Sequence, residues 1–344
     1  SFLVVSGAVY IWQFSARSLG ESKTYVKAGL IGSGVLILSD LCFILFYKLD
    51  YAGLLISYII SQIAIILVIE IKVRLFSRLR KKNVSKKVFI RMIKFSVPLV
   101  INNISLWFYT GGNKVIIQNY LGASENGLYS FASRFSLLIS LFSTVISMAV
   151  IEESYSFSTL EEYKTKISKL ITIISKAYFS LITLALPAIY ILYSLAFKRS
   201  VYYPSQDYIF LLLLASLFTA LSNNFGSAFQ VTDKTQYIAV TTIIGAAASI
   251  GVSLILVGSL GIYGVLLGGA IGPFLMMLSR AIFAKRATDL KPNWLNNILI
   301  FSVGCVFYIG LRVNKSILIQ FTILFIALLF TIFQYRSELF ELKS

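Results

Sequence analysis

Apolar runs long enough to cross a lipid bilayer recur along nearly the whole chain, and they constrain its fold more than any other feature. A transmembrane helix needs about 20 predominantly apolar residues. One partial and ten complete runs of this kind lie at residues 1–14, 28–47, 52–71, 95–121, 127–150, 173–197, 207–229, 236–258, 262–284, 295–311 and 317–334. We therefore predict an all-α, polytopic helical membrane protein.

The composition agrees with this prediction. Of the 344 residues 58% are hydrophobic and 13% are charged, whereas soluble domains are about 25% charged. Histidine is absent, which excludes histidine proton relays, histidine metal sites and Ser-His-Asp chemistry. Cys42 and Cys305 lie inside apolar runs and do not imply a disulfide. We expect neither a metal nor a cofactor.

The lysine and arginine residues are distributed unevenly between the two sides that the spans define. With alternate loops assigned to opposite sides, 24 of the 31 basic residues fall on one side, together with the C-terminus, and 6 fall on the other. Arg134 lies inside a span, and Arg280 is counted with the loops of the rich side. The positive-inside rule makes the rich side cytoplasmic. The net charge of +17 is therefore a topology signal, and we expect no nucleic-acid partner.

Ten of the cytoplasmic cations lie within residues 72–94, where they alternate with apolar residues. This pattern predicts an interfacial linker on the inner leaflet, where each cation gains about 1 kcal/mol near anionic lipid. The cluster either anchors the protein or gathers a diphosphate lipid headgroup.

Two segments of similar sequence indicate an internal repeat. Phe14–Tyr25 resembles Phe225–Tyr237, and an apolar helix follows each of them. Similar motifs then follow at Tyr51–Leu55 and at Tyr263–Leu267. Both copies have the same orientation, and parallel repeats mark two bundles related by an axis along the membrane normal.

The repeat predicts the domain organisation. Residues 1–71 would end an N-terminal six-helix bundle, residues 72–94 would form the linker, and residues 95–284 would form a second six-helix bundle. Residues 295–334 would add two C-terminal helices. Because the two copies are offset by about 211 residues, we expect roughly 110–130 further residues before Ser1.

Several short motifs resemble those of the polysaccharide-export branch of the MOP superfamily, most closely the Wzx-type O-antigen flippases. Their order and spacing are more specific than any one of them. They are Phe95-Ser96-Val97-Pro98, Trp107, Asn113-Lys114, Leu121-Gly122, Gly127 to Ala132, Arg134, Gln230 to Lys234, and Leu260 to Gly264.

The resemblance implies a fourteen-helix, two-bundle transporter of which about ten complete transmembrane helices are present. It implies translocation of oligosaccharide repeat units, linked to undecaprenyl diphosphate, across the bacterial inner membrane by alternating access. Membrane lipids, a polysaccharide polymerase and the chain-length machinery are the implied partners. Family members often carry an acidic-basic pair where this chain has Asn113-Lys114, so the resemblance does not support ion coupling at that position.

Polar residues at membrane depth are the candidate site residues, because they are costly unless they face protein or a watery cavity. Arg134 is either a cleft cation that contacts a sugar carboxylate or diphosphate, or a side chain that snorkels outward. Lys114 lies about 28 Å along its helix from Phe95 and is either an interfacial anchor or a cleft residue.

Other polar residues leave similar alternatives open. Asp40 either couples transport to an ion or forms a hydrogen-bonded contact between helices. The amides either line the cleft and bond to sugar hydroxyls or join helices, worth about 0.6 kcal/mol per contact. These amides are Asn102, Asn103, Asn113, Asn223 and Asn224.

Two other functions compete with this interpretation of the sequence. A membrane glycosyltransferase or polymerase usually carries catalytic groups on a sizeable loop, but the predicted outward loops are short and the sequence has no Asp-x-Asp pair. We therefore do not expect an enzyme. A drug or cation antiporter of the MATE branch is the closer alternative.

Overall fold

The computed structural model describes residues 2–49, 51–78, 85–156, 159–290, 295–314 and 316–341 of the chain. All regular structure within these ranges is helical. The helices are α1 (Phe2–Ser18), α2 (Ser22–Leu41), α3 (Tyr51–Val73), α4 (Leu75–Arg78), α5 (Lys86–Tyr120), α6 (Ala123–Ser156), α7 (Leu160–Leu192), α8 (Ile209–Val231), α9 (Gln236–Leu260), α10 (Ile262–Thr288), α11 (Leu295–Val313) and α12 (Ile317–Glu341). Short π-helical segments at Cys42–Phe46 and Tyr193–Phe197 extend α2 and α7, and a 3-10 turn at Tyr203–Tyr208 precedes α8.

The predicted fold class is confirmed, because each of the ten complete spans coincides with one of these helices. Within the described ranges, nine helices are long and apolar enough to cross a membrane, and Asn297–Val313 of α11 forms a shorter apolar helix. The agreement follows from the constraint that lipid imposes on the backbone, since a helix satisfies its own N–H and C=O groups.

The chain forms two compact units, Ser1–Ile90 and Arg91–Ser344. In the first unit, α1, α2 and α3 pack around a small core that contains Trp12, Ala28 and Ile69. Glu70 accepts hydrogen bonds from the Trp12 indole at 2.8 Å and from two backbone N–H groups at the start of α4. This carboxylate therefore joins three helices of the unit.

The second unit is built around α8, which packs against α6 and α10 and is mostly buried. Helices α9 and α10 pack against each other most extensively, while α11 and α12 pack against α7. The large apolar core of this unit includes Phe225 and Phe229 of α8, together with Tyr163, Ile167 and Ile171 of α7.

Local sequence explains the connection between α5 and α6. Gly122 has a φ of +90°, a left-handed conformation that glycine adopts without steric cost. The N–H groups of Leu121 and Gly122 both donate to the carbonyl of Ile117, at 2.8 and 3.1 Å, and close the C-terminus of α5. The Leu121-Gly122 motif therefore ends α5 and forms the turn that leads into α6.

The basic residues of 72–94 are divided among several elements instead of forming one interfacial helix. Lys72 belongs to the last turn of α3, which ends at Val73, and Arg74 follows in a left-handed conformation (φ +52°). Residues 79–84 lie outside the described ranges. Residues 86–94 are the first turns of α5, which starts nine residues before the predicted span.

Candidate functional site

A cavity of about 400 Å³ opens among α5, α6, α8 and α10 of the second unit. Hydroxyl groups form much of its polar lining, contributed by Thr110, Ser133, Ser136, Ser140, Ser216 and Thr219. Aromatic rings come from Trp107, Tyr109 and Tyr129, while apolar side chains of α6, α8 and α10 complete the wall. The hydroxyls of Ser133, Ser136 and Ser140 donate to carbonyl groups of α6, so the cavity offers neutral oxygen acceptors beside flat apolar surfaces.

Helical spacing explains why three α6 serines line one wall. Ser133, Ser136 and Ser140 are separated by three and four residues, so they lie on the same face of the helix. That face packs against α8, which contributes Ser216 and Thr219 from the opposite side.

Lys114 is the charged residue of this lining, and the cavity wall contains no aspartate or glutamate. Its ammonium carries three donors and no acceptor, so a neutral or anionic ligand can occupy the space beside it. Among the described residues, the lining therefore carries one positive charge, on the exposed Lys114, and no negative one. The sequence left two interpretations of Lys114 open, an interfacial anchor and a cleft residue, and both stay predictions. Its position in the lining is the observation that bears on ligand binding.

The other two charged candidates lie elsewhere. Arg134 follows Ser133 on α6, but it is exposed and is not among the residues that line the cavity. Asp40 lies in α2 of the first unit, where its Oδ1 atom is buried without a hydrogen-bond partner. Both assignments stay predictions.

Asn113 lies next to Lys114 and is buried between α5, α9 and α10. Its Nδ2 donates to Ser249 Oγ at 3.3 Å, and its Oδ1 accepts from Ser253 Oγ at 3.2 Å. Gly269 packs closely enough that a Cβ there would lie 3.4 Å from Asn113 Nδ2. Asn113 thus both lines the cavity and joins helices.

Two of the remaining four amides, Asn102 and Asn223, belong to a polar cluster centred on Arg280, which is only 2% exposed. Asn102 Oδ1 accepts from Arg280 Nη2 at 3.2 Å, and Asn223 Oδ1 accepts from Nη1 at 3.4 Å. Asn103 is exposed and accepts a 3.4 Å bond from Asn102. Asn224 is fully buried and accepts from Ser147 Oγ at 3.1 Å. None of these four amides lines the cavity.

Every N–H group of the Arg280 guanidinium faces a neutral acceptor. Nε donates to Thr241 Oγ1 at 3.0 Å, and Nη1 also donates to the Ser222 carbonyl at 3.2 Å. Nη2 donates in addition to Thr242 Oγ1 at 2.7 Å and to the Ile238 carbonyl at 3.4 Å. Acceptors from α5, α8 and α9 therefore share one buried cation.

The assignment of Arg280 to a cytoplasmic loop was wrong, because its side chain is buried inside α10. The residue lies near the end of an apolar run, so counting loop charges places it outside the membrane. One signal in the sequence could have identified it. The complementary acceptors Asn102, Asn223 and Thr242 lie in other predicted spans, at similar distances from the span ends on the side predicted to be basic. Only the packing pairs them with Arg280.

The fold described above is similar to that of solved MATE structures. The crystal structure of MATE in complex with MaL6 has a TM-score of 0.69 and 17% identity, covering 82% of this chain and 66% of that chain. An outward-facing multidrug resistance MATE family transporter of the MOP superfamily has a TM-score of 0.67 and 18% identity, covering 82% of this chain and 66% of that chain. A MOP superfamily transporter from Pyrococcus furiosus has a TM-score of 0.63 and 16% identity, covering 81% of this chain and 66% of that chain. The chain thus spans slightly less than two thirds of the length of these proteins.

A family model adds a second kind of similarity. Residues 7–151 match the model described as polysaccharide biosynthesis protein. The match runs from α1 into the last turns of α6 and includes the α5 and α6 walls of the cavity. No curated protein matches the chain.

Proposed function

We propose that this protein is a flippase that carries oligosaccharide repeat units, linked to undecaprenyl diphosphate, from the inner to the outer leaflet of the bacterial inner membrane. The proposed mechanism is alternating access of a polar cleft, with the C-terminus in the cytoplasm. The polysaccharide polymerase and the chain-length machinery would receive the product. The similarity of residues 7–151 to the polysaccharide biosynthesis family supports this cargo.

The chemistry of the cavity is the observation that carries the proposal. Sugar hydroxyls both donate and accept hydrogen bonds, and serine and threonine hydroxyls do the same. Burying a sugar at membrane depth requires such partners, since an unsatisfied polar group costs about 1–3 kcal/mol. The hydroxyls of Ser133, Ser136 and Ser140 donate to α6 carbonyl groups, and their oxygen lone pairs are left to accept from sugar hydroxyls. Trp107 and Tyr109 provide apolar surface for the faces of a sugar ring.

The positive charge in the cavity lining also favours this cargo over a cationic drug. A lysine near a phosphate or sugar carboxylate gains a charge-assisted hydrogen bond, whereas it repels a cation. A binding site for cationic drugs would be expected to place a carboxylate near the ligand, and the lining of this cavity contains none. The MATE-type fold keeps a drug or cation antiporter as the alternative function.

Arg134 is proposed to contact the same cargo in the cleft, at a point outside the cavity lining. Replacing Arg134 by Ala should abolish polysaccharide export at an unchanged protein level, which immunoblotting of membranes would verify. Full export by this variant would remove Arg134 from the mechanism.

Asp40 is proposed to couple transport to an ion, because its buried Oδ1 lacks a hydrogen-bond partner in the described part of the chain. The Asp40→Asn variant should lose the dependence of export on external pH. Export with the wild-type pH profile would show that Asp40 has only a structural role.

Deletion of the gene separates the flippase from the antiporter. Loss of a flippase should remove surface polysaccharide and cause lipid-linked oligosaccharide to accumulate in the membrane, with drug sensitivity unchanged. Loss of an antiporter should give drug-sensitive cells with intact polysaccharide, and this result would overturn the proposal. The accumulated lipid-linked material also identifies the sugar by chemical analysis.

A further inference from the structure

The helix α5 is joined to the rest of its unit through a stripe of polar side chains. Asn102, Tyr109 and Asn113 are seven and four residues apart and so lie on one face of the helix. Their hydrogen bonds cross to α9 and α10, and the one from the Tyr109 hydroxyl to the Gly269 carbonyl measures 2.9 Å.

Large apolar residues of α5 are exposed within this unit, among them Val97, Ile101, Ile104 and Phe108. In a bilayer such residues give little drive toward packing on other helices, because lipid tails are equally apolar. At the end of α5, Ile116 and Ile117 are buried in the apolar core, and at its start Arg91 forms a 2.8 Å ion pair with Asp233. Between these two ends, the hydrogen bonds of the polar stripe hold α5 to α9 and α10. Loss of a few of them would release the helix.

Arg280 makes the charge-assisted contact of this stripe, and such hydrogen bonds are about twice as strong as neutral ones. Its Nη2 keeps two partners on α9, Thr242 and the Ile238 carbonyl, when Asn102 leaves. The guanidinium is thus held by α8 and α9 and can bind or release α5 without losing its own support.

We propose that Arg280 is a positioning residue that latches α5 against α8, α9 and α10, and that the cavity exchanges its ligand when the Arg280–Asn102 contact breaks. Part of the cavity wall, including Lys114 and Trp107, belongs to α5, so its departure opens the cavity. The role in ligand exchange rests on the proposed transport function. The latch itself can be measured without cargo.

Disulfide formation between α5 and α9 measures the latch in the full-length protein in its membrane. Cys42 and Cys305 are first replaced by Ser, and Cys is then introduced at Gly112 and Ile250. A Cβ at Gly112 would lie 3.6 Å from Ile250 Cγ1, the atom whose place a cysteine sulfur at 250 can take, so the two thiols should cross-link under oxidant when α5 is docked. The Arg280→Gln variant should slow this reaction at least fivefold, and Arg280→Lys should fall between the two, because lysine keeps the charge but loses the planar fork. A wild-type rate in Arg280→Gln would overturn the latch.

A second cysteine pair distinguishes release of α5 from general unfolding. Gly304 of α11 and Thr183 of α7 face each other without any α5 residue, and a Cβ at Gly304 would lie 3.3 Å from Thr183 Oγ1, close to the place that a cysteine sulfur at 183 would take. Cysteines at these two positions should cross-link at the same rate with Arg or Gln at 280. If Arg280→Gln disturbs this control pair, Asn102→Ala decides instead, since it leaves the guanidinium and its α8 and α9 partners in place. Slower α5–α9 cross-linking in Asn102→Ala supports the latch, and an unchanged rate refutes it.

Export measured on the same strains separates the latch from the transport function. Oxidising the Gly112→Cys/Ile250→Cys protein should stop polysaccharide export, and a reductant should restore it. Normal export with the disulfide formed would overturn the role of α5 release in ligand exchange. If no variant exports polysaccharide while cross-linking still responds to Arg280→Gln, the latch stands and the flippase proposal fails.

Discussion

Two basic side chains in the transmembrane helices of the second unit occupy different environments, and this difference assigns them different roles. Arg280 uses all its donors on protein acceptors, as a buried cation must to offset lost hydration. Lys114 faces a cavity instead, and the structure shows no ion pair for it in the part of the chain that it describes. Lys114 is therefore suited to contact a ligand, whereas Arg280 is suited to hold the framework.

Replacing Lys114 by Ala should lower polysaccharide export at least tenfold, which corresponds to about 1.4 kcal/mol of lost binding or transport free energy. The physical reason is loss of the positive charge in the cavity lining. Lys114→Arg should retain most of the export, because it preserves the charge.

Lys198 supplies the matched control for this substitution. It is an exposed lysine at the end of the π-helical segment that extends α7, away from the cavity lining. Lys198→Ala should export normally. Equal defects in both alanine variants would contradict a specific role for Lys114.

Helix pairs in the second unit are held by two different kinds of contact. The pair α9 and α10 meets through small residues, so that a Cβ at Gly272 would lie 2.6 Å from the Gly245 carbonyl oxygen and from Ser249 Cβ. Such close backbone approach maximises van der Waals packing, the main attraction between helices in lipid. By contrast, α5 is attached through separate polar contacts, each worth about 0.6 kcal/mol on average. Close backbone packing is expected between helices that move together as a rigid body. Separate polar contacts are expected for a helix that moves relative to its neighbours.

Replacing Gly272 by Ala should destabilise the protein by about 1–3 kcal/mol, because the added methyl group overpacks the α9–α10 interface. Thermal unfolding of the detergent-solubilised protein would show a lower midpoint. Gly258→Ala in α9 is the control, since a Cβ there meets no atom within 4 Å. A stability of Gly272→Ala equal to that of Gly258→Ala would show that the interface adjusts without cost.

At the scale of the whole molecule, loops join successive apolar helices, and the charge of these loops predicts which side each one faces. The α8–α9 loop carries Lys234 and belongs to the basic side, whereas the α7–α8 connection carries Arg199 and belongs to the opposite side. The positive-inside rule predicts that the first of these loops faces the cytoplasm.

Single cysteines at Arg199 and Lys234 test this topology in a background without Cys42 and Cys305. A membrane-impermeant maleimide applied to spheroplasts should label Arg199→Cys at once, because that position is predicted to face outward and its side chain is exposed. Lys234→Cys should react only after the membrane is permeabilised. The reverse pattern of labelling would invert the whole topology, including the cytoplasmic C-terminus.

The sequence by itself determined the helices, because an apolar run in lipid must bond its own backbone and can do so as a helix. All ten complete spans follow from this one rule, and Lys114 could be named as a candidate because a cation near membrane depth is rare. Only the tertiary structure decided which polar residues meet. The packing placed Arg280 among acceptors from three other helices and directed Asn102 toward it, although the two residues are 178 positions apart. It also put Lys114 in the cavity lining and left Arg134 outside it. Hydropathy measures how deep a residue lies but not which neighbour its helix face meets, and that choice depends on contacts between segments distant in sequence.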